Sequence, residues 1–600
     1  MTATVRPRSW PSLAILALLW IATYGPGLFT PPLQDDVDAS HADAGHEILT
    51  RQDWVTLHEN GIRYLEKAPL PYWGMAVGMK LFGPEAYSAR LFLHLSALAV
   101  AVFLYFFGRR FLTERAGFWA AVVFLASCGP YLFTRILIPD VTVGLWIGLA
   151  LYLFLDGWQS GKPGLVSCWG IAALIALNVL TKSLIGMVFP CAIIILFLLL
   201  VRDLRHLLKM HLLTGTLVFL LVAAPWHILA ALRNPPVGES RGFLWFYFVN
   251  EQFLRYLNKR YPHDYNTVPI LLFFGLLLLW ILPWSSFLPQ ALAQVRFRLL
   301  RVADLRRSSD AVLLLLFCWP AVILLFFSFS TRQEYYVAPG LPGLALIIGY
   351  WLARESEAPA SSSVARAGRR SAVVLLVIGL FIAAVTLFLA VTTHTPPPGS
   401  DIFDALNQNP DVYTLSLGHF LDLTGNAMAF FRGPLIGTAL AFSIGPVLCW
   451  FFRRRGKPVA ANWALVAMMI VFIECAHLAL NTFYPILGSK QFAAAIQQRL
   501  QPGELIVCDG EFANASSVRF YTGQQLLILN GRITGLWYGS LFPDAPDIFL
   551  DDARFARLWA GTNRVYLVTG DAKKRVALTG TAPAYLLSKA GGRFVLSNRP

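Results

Sequence analysis

Residues 13–38 read LAILALLWIATYGPGLFTPPLQDDVD. The first half of this stretch is a largely apolar run without a charge, and such a run of roughly 20 residues can cross a bilayer as a helix. Arg6 and Arg8 precede the run, and no small-x-small cleavage site follows it. We therefore expect an N-terminal membrane anchor and not a cleaved signal peptide. Three carboxylates follow directly, which predicts acidic groups at the membrane surface.

The composition of the whole chain predicts a membrane protein. Of its 600 residues 56% are hydrophobic and 14% are charged, against about 25% charged residues in soluble domains. The mean hydropathy is +0.57. The net charge of +15 comes from Lys and Arg residues, which cluster in short loops between apolar runs as the positive-inside rule describes. No basic patch with interleaved aromatic residues is present, so we expect no nucleic-acid partner.

The distribution of positive charge predicts the topology. Alternating the loops across the bilayer places every Arg- and Lys-rich loop on one side and gives about thirteen spans, with the N-terminus in the cytoplasm and the C-terminus outside. Residues 1–487 would form the transmembrane domain, with outer loops at 31–87 and 233–268. From residue 488 the segments ELIVCDGEF, QQLLILNG, PDIFLDD and RVYLVTG are typical of short buried strands. The predicted fold is an all-α polytopic membrane protein with a small extracytoplasmic α/β domain, residues 488–600.

Carboxylates in the outer loops are candidates for catalysis. Asp35, Asp36 and Asp38 repel one another unless a cation or a hydrogen-bonding acceptor is held among them. One could act as a general base, and the alternative is a solvated acidic turn. Asp140 heads an apolar run, where it could face the same cavity or only cap a helix after Pro139.

Cationic and aromatic residues in the outer loops are candidates for binding a lipid phosphate. Lys67 follows Glu66 beside a Pro-rich aromatic segment, and Lys182 lies on its own outer turn. Either Lys could instead extend to the lipid headgroups. The third outer loop suits anionic ligands through Arg255, Lys259 and Arg260, and its His263 is a candidate metal ligand or base. A further outer turn carries Arg332, Glu334, Tyr335 and Tyr336.

These groups meet at one face, which favours an enzyme over two other classes. A transporter would show internal repeats or broken helices with ionisable residues at mid-membrane, and a structural scaffold would not need the outer carboxylates and lysines. The sequence shows neither repeats nor many mid-span charges.

Several motifs resemble those of a known family. Residues 35–73 contain DDVDASHADAGHEILTRQDWVT, then NGIRYLEKAPLPYW, and further matches are RILIPD, LTKSLIGMVFP, PWHI, FVNEQFLRYL, LPWSSFLP and FSFSTRQEYYVAPGLPGLALIIG. They occur in family order over about residues 30–350. The chain resembles the GT-C glycosyltransferases of the aminoarabinose transferase and dolichyl-phosphate-mannose protein mannosyltransferase-like group, and a GT-C fold with an outer C-terminal domain suits this resemblance.

The resemblance implies roles for the candidate residues. Asp36 would be the catalytic carboxylate, although the sequence DDVD also allows Asp38 or Asp35 in that role. Asp140 matches the second acidic position of the family. The donor phosphate would meet Lys67, Lys182, Arg255 and Arg332, and the pocket would include Asp35, Tyr64 and Tyr335. A divalent metal (Zn, Mg or Mn) would be held by Glu66 with His263. The usual Glu-His pair is Glu251-Gln252 here, so working without a metal is the alternative.

The resemblance also implies the reaction. A sugar would pass from a polyprenyl-phosphate donor to a cell-envelope acceptor, with inversion, on the periplasmic face of the bacterial inner membrane. The acceptor would be a lipid A-like glycolipid, as in lipid A modification. The alternative within the class is a protein O-mannosyltransferase acting in protein glycosylation, and a lipid-linked-sugar transporter is the alternative outside it. Membrane lipids are further expected partners.

Overall fold

The fold is taken from a computed structural model. It describes residues 9–263, 266–296, 302–306, 308–394, 396–397, 399–407, 418–573 and 582–600. Arg6, Arg8 and part of the basic stretch at 296–307 lie outside the described residues.

The chain up to the third outer loop is helical apart from one short hairpin. The hairpin strands β1 (His58–Glu59) and β2 (Ile62–Arg63) pair antiparallel. The helices are α1 (Trp10–Phe29), α2 (Val37–Arg51), α3 (Leu70–Phe82), α4 (Ala86–Phe111), α5 (Glu114–Leu125), α6 (Cys128–Arg135), α7 (Asp140–Ser160), α8 (Leu165–Lys182), α9 (Ile185–Leu200), α10 (Leu212–Arg233) and α11 (Gly242–Leu244), which leads into a π-helical segment at Trp245–Leu254.

The chain from residue 266 to residue 487 adds the remaining membrane helices. They are α12 (Ile270–Trp280), α13 (Leu288–Leu292), α14 (Val302–Leu305), α15 (Ser309–Ser328), α16 (Leu341–Glu357), α17 (Ser363–Thr392), α18 (Arg432–Arg454) and α19 (Pro458–Leu487). One large apolar core joins residues of α1, α4, α5, α7, α15 and α16.

The number of helices that can cross a membrane is close to the predicted thirteen. Among the described residues nine helices are long and apolar enough, and up to eleven if each of two bent pairs counts as one span. The two remaining predicted spans correspond to α9, with 16 residues, and α16, with 17, which are short for a full crossing of about 20 residues. The protein is a multi-pass membrane protein.

Two predicted spans are bent rather than continuous. The axes of α5 and α6 differ by 54°, and the helical pair Ile270–Trp280 and Trp284–Leu292 bends by 99°. Pro283 lies at the second break and Pro130 lies in the first turn after the other. Proline has no N–H to donate and clashes with the preceding turn, so a helix stops or bends there.

Two helices of the first outer loop lie against one another outside the span region. Ala39, Ala42 and Ile48 of α2 are buried at helical spacing. A Cβ on Gly45 would lie 3.0 Å from the Cβ of Met75, so this glycine permits the close approach of α2 to α3. The predicted acidic turn is therefore the start of a packed helix.

The C-terminal residues form a six-stranded sheet with short helices. The strands are β3 (Leu505–Asp509), β4 (Leu526–Leu529), β5 (Phe549–Leu550), β6 (Val565–Thr569), β7 (Tyr585–Ala590) and β8 (Arg593–Ser597), and the helices are α20 (Lys490–Gln497), α21 (Ser516–Thr522), α22 (Thr534–Gly539) and α23 (Asp552–Trp559). The order is β5-β4-β3-β6-β8-β7, and the first four strands are parallel. The four predicted strands correspond to β3–β6, while β7 and β8 were not predicted.

The sheet is joined to the first outer loop by specific hydrogen bonds. Asn60 at the hairpin turn exchanges two bonds of 2.9 Å with the backbone of Leu526 in β4. Arg519 of α21 bonds Glu47 of α2 at 2.9 Å. These contacts fix the sheet above the outer ends of the membrane helices, with a cavity between them.

Candidate active site

A cavity of about 1230 Å³ lies between the membrane helices, the first outer loop and the C-terminal sheet. It is larger than the roughly 300–1,000 Å³ of ordinary small-molecule pockets. Its wall includes residues of α2, the 136–139 loop, the ends of α8 and α15, and the carboxyl ends of β3 and β6. The volume has room for more than one substrate group at a time.

Asp36 presents the accessible carboxylate of the first outer loop. It is exposed and lines the cavity at the start of α2. Its backbone has φ 62° and ψ −121°, a combination that an L-residue adopts only under strain. The hydrogen bond from its N–H to the carbonyl of Ala513, at 3.0 Å, helps to hold this conformation. Backbone strain of this kind is concentrated at functional sites.

The two neighbouring aspartates are engaged by protein groups. Asp38 is 1% exposed, bonds Arg90 at 3.1 Å and accepts the N–H of Leu137 at 2.8 Å. Asp35 accepts bonds from Ser489 at 2.5 Å and from Arg593 at 2.8 Å. Both carboxylates thus connect the outer loop to other elements, although Asp35 and Asp38 also line the cavity.

Basic and acidic side chains alternate along one wall of the cavity. Lys67 contacts Glu66 at 2.7 Å, and Glu66 contacts Arg260 at 2.8 Å. Arg260 then contacts Glu251 at 2.7 Å, which lies 3.5 Å from Arg255. Each carboxylate has a cation on both sides, and cations end the row. Opposite charges at such distances stabilise one another where water is scarce.

Glu66 and its neighbour Tyr64 illustrate the electrostatics of this row. Burial alone would raise the pKa of the Glu66 carboxyl, but Lys67 and Arg260 outweigh burial and hold its pKa below the usual range. Tyr64 is buried and donates its hydroxyl to Glu66 at 3.1 Å. Glu66 is therefore ionised and fixes the position of Lys67, whose side chain keeps 31% exposure.

A second ion pair lies at the entrance of α7. Lys182, the last residue of α8, pairs with the buried Asp140, the first residue of α7. The Lys182 ammonium also lies 5.0 Å from the ring centre of Tyr335 and 5.2 Å from that of Tyr336, within the range of cation–π attraction. The Tyr336 hydroxyl accepts from Arg255 at 2.9 Å. Tyr336 thus joins Lys182 to the row that ends at Arg255.

The structure does not bring Arg332 or His263 to the cavity wall. The Arg332 guanidinium donates to the carbonyls of Val268, Phe327, Ser328 and Ser330 at 2.9–3.3 Å. These include carbonyls at the end of α15 that have no partner within the helix. His263 is exposed and bonds Asn258 at 3.3 Å. Stabilising a helix end accounts for Arg332, and the structure gives no reason for a role of His263.

The described residues do not fit a metal centre. They contain no group of three or more His, Cys, Asp or Glu side chains close enough to hold an ion. Both carboxylate oxygens of Glu66 face cations, Lys67 and Arg260. A metal at Glu66 would have to displace one of them, and the metal assignment stays a prediction.

The cavity contains groups that the sequence did not single out. Glu59 of β1 is 4% exposed and lines the cavity, and burial raises its pKa to about 8 with help from the charges of Asp43, Glu66 and Asp36. Burial and Lys67 lower the pKa of His41 to about 4, so its ring is neutral. Glu59 lies in a two-residue strand and His41 is half-buried in α2, and only the tertiary arrangement reveals their place in the cavity.

Comparison with known proteins gives a consistent result. A family model described as dolichyl-phosphate-mannose-protein mannosyltransferase matches residues 66–229. Undecaprenyl phosphate-alpha-4-amino-4-deoxy-L-arabinose arabinosyl transferases are similar over nearly the whole chain. The one from Erwinia tasmaniensis is 25% identical and covers 88% of this chain and 87% of its own. That from Edwardsiella ictaluri is 25% identical over 98% of both chains.

A solved structure shares the fold. ArnT from Cupriavidus metallidurans bound to undecaprenyl phosphate superposes with a TM-score of 0.78 at 22% identity, over 99% of this chain and 98% of that chain. The resemblance inferred from the sequence motifs is thus confirmed. We conclude that the chain has the GT-C fold and is a membrane glycosyltransferase similar to the aminoarabinose transferases.

Proposed function

We propose that the protein transfers a sugar from a polyprenyl-phosphate donor to a cell-envelope acceptor at the periplasmic face of the inner membrane, with inversion. The observation that carries the proposal is the composition of one cavity, in which the exposed carboxylate of Asp36 and a row of cations line the same space. A transfer from a lipid phosphate needs both a base for the acceptor and cations for the leaving group.

The cations serve the leaving phosphate. Lys67, Arg255 and Lys182 line the cavity and are held in place by carboxylates or tyrosines. Positive groups already in position stabilise the charge that develops on the phosphate oxygen as the bond to the sugar breaks. Arg260 is buried between two carboxylates, so it acts as a positioning residue for this row.

Asp36 serves the acceptor. Asp36 is exposed in the cavity, whereas Asp35 is half-buried and Asp38 is buried. Asp36 takes the proton of the acceptor hydroxyl or amine as the acceptor attacks the anomeric carbon. The bond from that carbon to the phosphate oxygen breaks, and the polyprenyl phosphate leaves with the electron pair. One displacement without an enzyme-linked sugar inverts the anomeric centre.

The relatives suggest the substrates. Their names specify undecaprenyl phosphate linked to 4-amino-4-deoxy-L-arabinose, and we take this as the donor. A lipid A-like glycolipid is the proposed acceptor. The N-terminus would lie in the cytoplasm and the C-terminal sheet in the periplasm. A protein O-mannosyltransferase is the second candidate, because the matching family model over residues 66–229 is named for that activity.

The test uses purified protein in lipid vesicles. Radiolabelled undecaprenyl-phosphate aminoarabinose and polyprenyl-phosphate mannose are supplied with envelope glycolipids or with acceptor proteins, with and without a chelator. We expect label to reach the glycolipid from the aminoarabinose donor with wild type and with Asp547→Asn, an exposed control, but not with Asp36→Asn. Mannose reaching protein would favour the second candidate. Loss of transfer in the presence of the chelator would support the predicted role of a divalent metal.

Failure of every donor would contradict the proposal. In that case movement of labelled lipid between the two leaflets, dependent on the protein, would favour a transporter.

A further inference from the structure

A buried arginine beside the main cavity forms no ion pair with any of the described residues. Arg135, the last residue of α6, is 1% exposed. None of its three guanidinium nitrogens has a hydrogen-bond partner among the described residues. Arginine stays protonated in proteins, so its burial without an anion is strongly unfavourable.

Asp38, whose charge acts on Arg135, is already engaged. Both oxygens of Asp38 are used, one by Arg90 at 3.1 Å and the other by the N–H of Leu137 at 2.8 Å. Glu474 of α19, the other acid near this group, forms no ion pair with Arg135 among the described residues. Arg90 therefore has an ion pair with Asp38, whereas Arg135 beside it has none among the described residues.

Two further donors near Arg135 also lack acceptors in the part of the chain that the structure describes. The Nε of Arg90 and the hydroxyl of Tyr24 are buried and also lack hydrogen-bond partners among the described residues. Tyr131 lies next to Arg135, its hydroxyl 3.4 Å from Nδ1 of His477. Buried polar groups in proteins almost always have partners. A group of donors from α1, α4 and α6 that all lack an acceptor indicates a site for an anion.

A small pocket reaches this site. Its volume is about 40 Å³, and Arg135 is part of its wall. Gln34, Ile136, His419 and Leu487 belong to the walls of both this pocket and the main cavity, so the two are adjoining. The donor-phosphate candidates Lys67, Lys182 and Arg255 are not in the wall of the small pocket, so this is a separate place for an anion.

The remaining wall of the pocket is apolar. Leu132, Phe420 and Leu480 belong to it, and Leu132 and Leu480 lie on helical segments that are apolar enough to cross a membrane. A ligand that suits both parts combines an anion with apolar chains. Phosphate fits the guanidinium, which can donate two parallel N–H bonds to its oxygens.

We propose that Arg135 anchors a second phosphate-binding site, which takes the phosphate group of a membrane lipid beside the sugar-transfer cavity. The lipid phosphate accepts hydrogen bonds from Arg135 and lies within reach of Arg90 and Tyr24, while its chains follow the apolar wall. The site goes beyond the transfer reaction and does not depend on it.

The test measures binding of short-chain phosphatidic acid to purified protein by native mass spectrometry. Diacylglycerol with the same chains lacks only the phosphate, and inorganic phosphate lacks the chains. The variants are Arg135→Met and Arg135→Lys, with Arg233→Met as a surface control whose side chain is 53% exposed. Because Lys67 and its neighbours offer another place for phosphate, all proteins are also made with Lys67→Met.

We expect Arg135→Met to weaken phosphatidic acid binding at least about tenfold, with a smaller loss in Arg135→Lys and none in Arg233→Met. Without lipid, Arg135→Met should be as stable as wild type or more stable, since a buried charge without a partner is removed. A further outcome is that inorganic phosphate binds as tightly as the lipid does, and only when Arg135 is present. That result would support a phosphate site at Arg135 and would identify its ligand as the free anion.

Equal phosphatidic acid binding by wild type and Arg135→Met would overturn the proposal. Equal binding of diacylglycerol and phosphatidic acid to the Lys67→Met protein would also overturn it. This comparison does not use a variant of Arg135.

Discussion

The three aspartates at the start of the first outer loop lie in three different environments. Asp38 is in a fully buried pair with Arg90, and Asp35 bonds Arg593 and Ser489. Asp36 alone of the three is exposed, in a strained backbone conformation. Because it is exposed and lines the cavity, it is the one that exchanges a proton with a substrate in the proposed mechanism.

Glu59 gives the protein a specific dependence of stability on pH. Its pKa is about 8, against an ordinary value of 4.5. Between these values the unfolded chain gives up a proton that the folded chain keeps, so the free energy of unfolding falls as pH rises. The contribution of Glu59 is complete below pH 4.5 and lost above pH 8. We expect Glu59→Gln to flatten the decline in thermal midpoint from pH 5 to pH 9, relative to wild type. Parallel profiles would refute this reading of Glu59.

Arg332 should matter for folding and not for the donor. Its guanidinium bonds four backbone carbonyls that join the outer turn to the end of α15. We expect Arg332→Met to lower stability by about 2–4 kcal/mol, since several buried acceptors lose a charged donor. Affinity for undecaprenyl phosphate, measured on the folded fraction at low temperature, should stay within about threefold of wild type. A loss of affinity with unchanged stability would instead place Arg332 in the phosphate site.

The sequence could predict which loops hold the charged residues but not what each residue does. Lys67, Lys182, Arg255, Tyr64 and Tyr335 were predicted for the cavity and line it. The partners that separate Asp35 from Asp36 come from residues 489, 517 and 593, and no local pattern reveals contacts across more than 450 positions. The contacts of Arg332 could not be predicted for the same reason, because its acceptors are carbonyl groups, which every residue has.

At the scale of elements, one arginine ties the sheet to the membrane helices. Arg593 of β8 donates to Asp35 at 2.8 Å and to the carbonyls of Gly488 at 2.9 Å and Pro485 at 3.3 Å, at the end of α19. The bonds hold one wall of the cavity in place, because Gly592 and Arg593 line it.

Removing this tie should loosen the C-terminal sheet. We expect Arg593→Met to raise the rate of proteolysis near residue 488 about tenfold at a temperature where the helices stay folded, because local opening becomes easier. Arg554→Met is the matched control, since Arg554 is half-buried and its ion pair with Asp547 lies within the C-terminal part. Equal cleavage rates for the two variants would show that Arg593 does not hold the sheet.

Helices and strands marked by a continuous apolar run could be predicted from the sequence, whereas the bends in helices and the exposed edge strand could not. Apolar runs revealed the membrane helices, and apolar strands with turns at their ends revealed β3–β6. The 54° and 99° bends depend on packing at the outer face as well as on proline. The edge strand β7 is largely exposed, so its residues lack the apolar run that marks a buried strand.

For the whole molecule, the arrangement offers two routes to one cavity. Membrane helices bound it on one side and the polar sheet on the other. A lipid-linked donor could therefore approach from the bilayer, and an acceptor from the water-filled side. The positive-inside rule predicts that the sheet lies in the periplasm.

Topology can be tested with single cysteines in a cysteine-free protein. Lys457→Cys and Gln524→Cys are both at exposed positions. We expect a membrane-impermeant maleimide to label Gln524→Cys from the periplasm in cells with a permeabilised outer membrane, and Lys457→Cys only after the inner membrane is opened. The opposite labelling pattern would reverse the predicted orientation.

The central claim is that two sets of groups in one cavity have separate roles. The cations bind the donor phosphate, and Asp36 takes the acceptor proton. The most direct measurement compares undecaprenyl phosphate affinity and transfer rate for wild type, Asp36→Asn and Lys67→Met. The account predicts that Asp36→Asn keeps the affinity within about threefold and loses transfer by at least about 100-fold. It predicts that Lys67→Met weakens the affinity by about tenfold or more. Full transfer by Asp36→Asn, or wild-type affinity in Lys67→Met, would contradict this division.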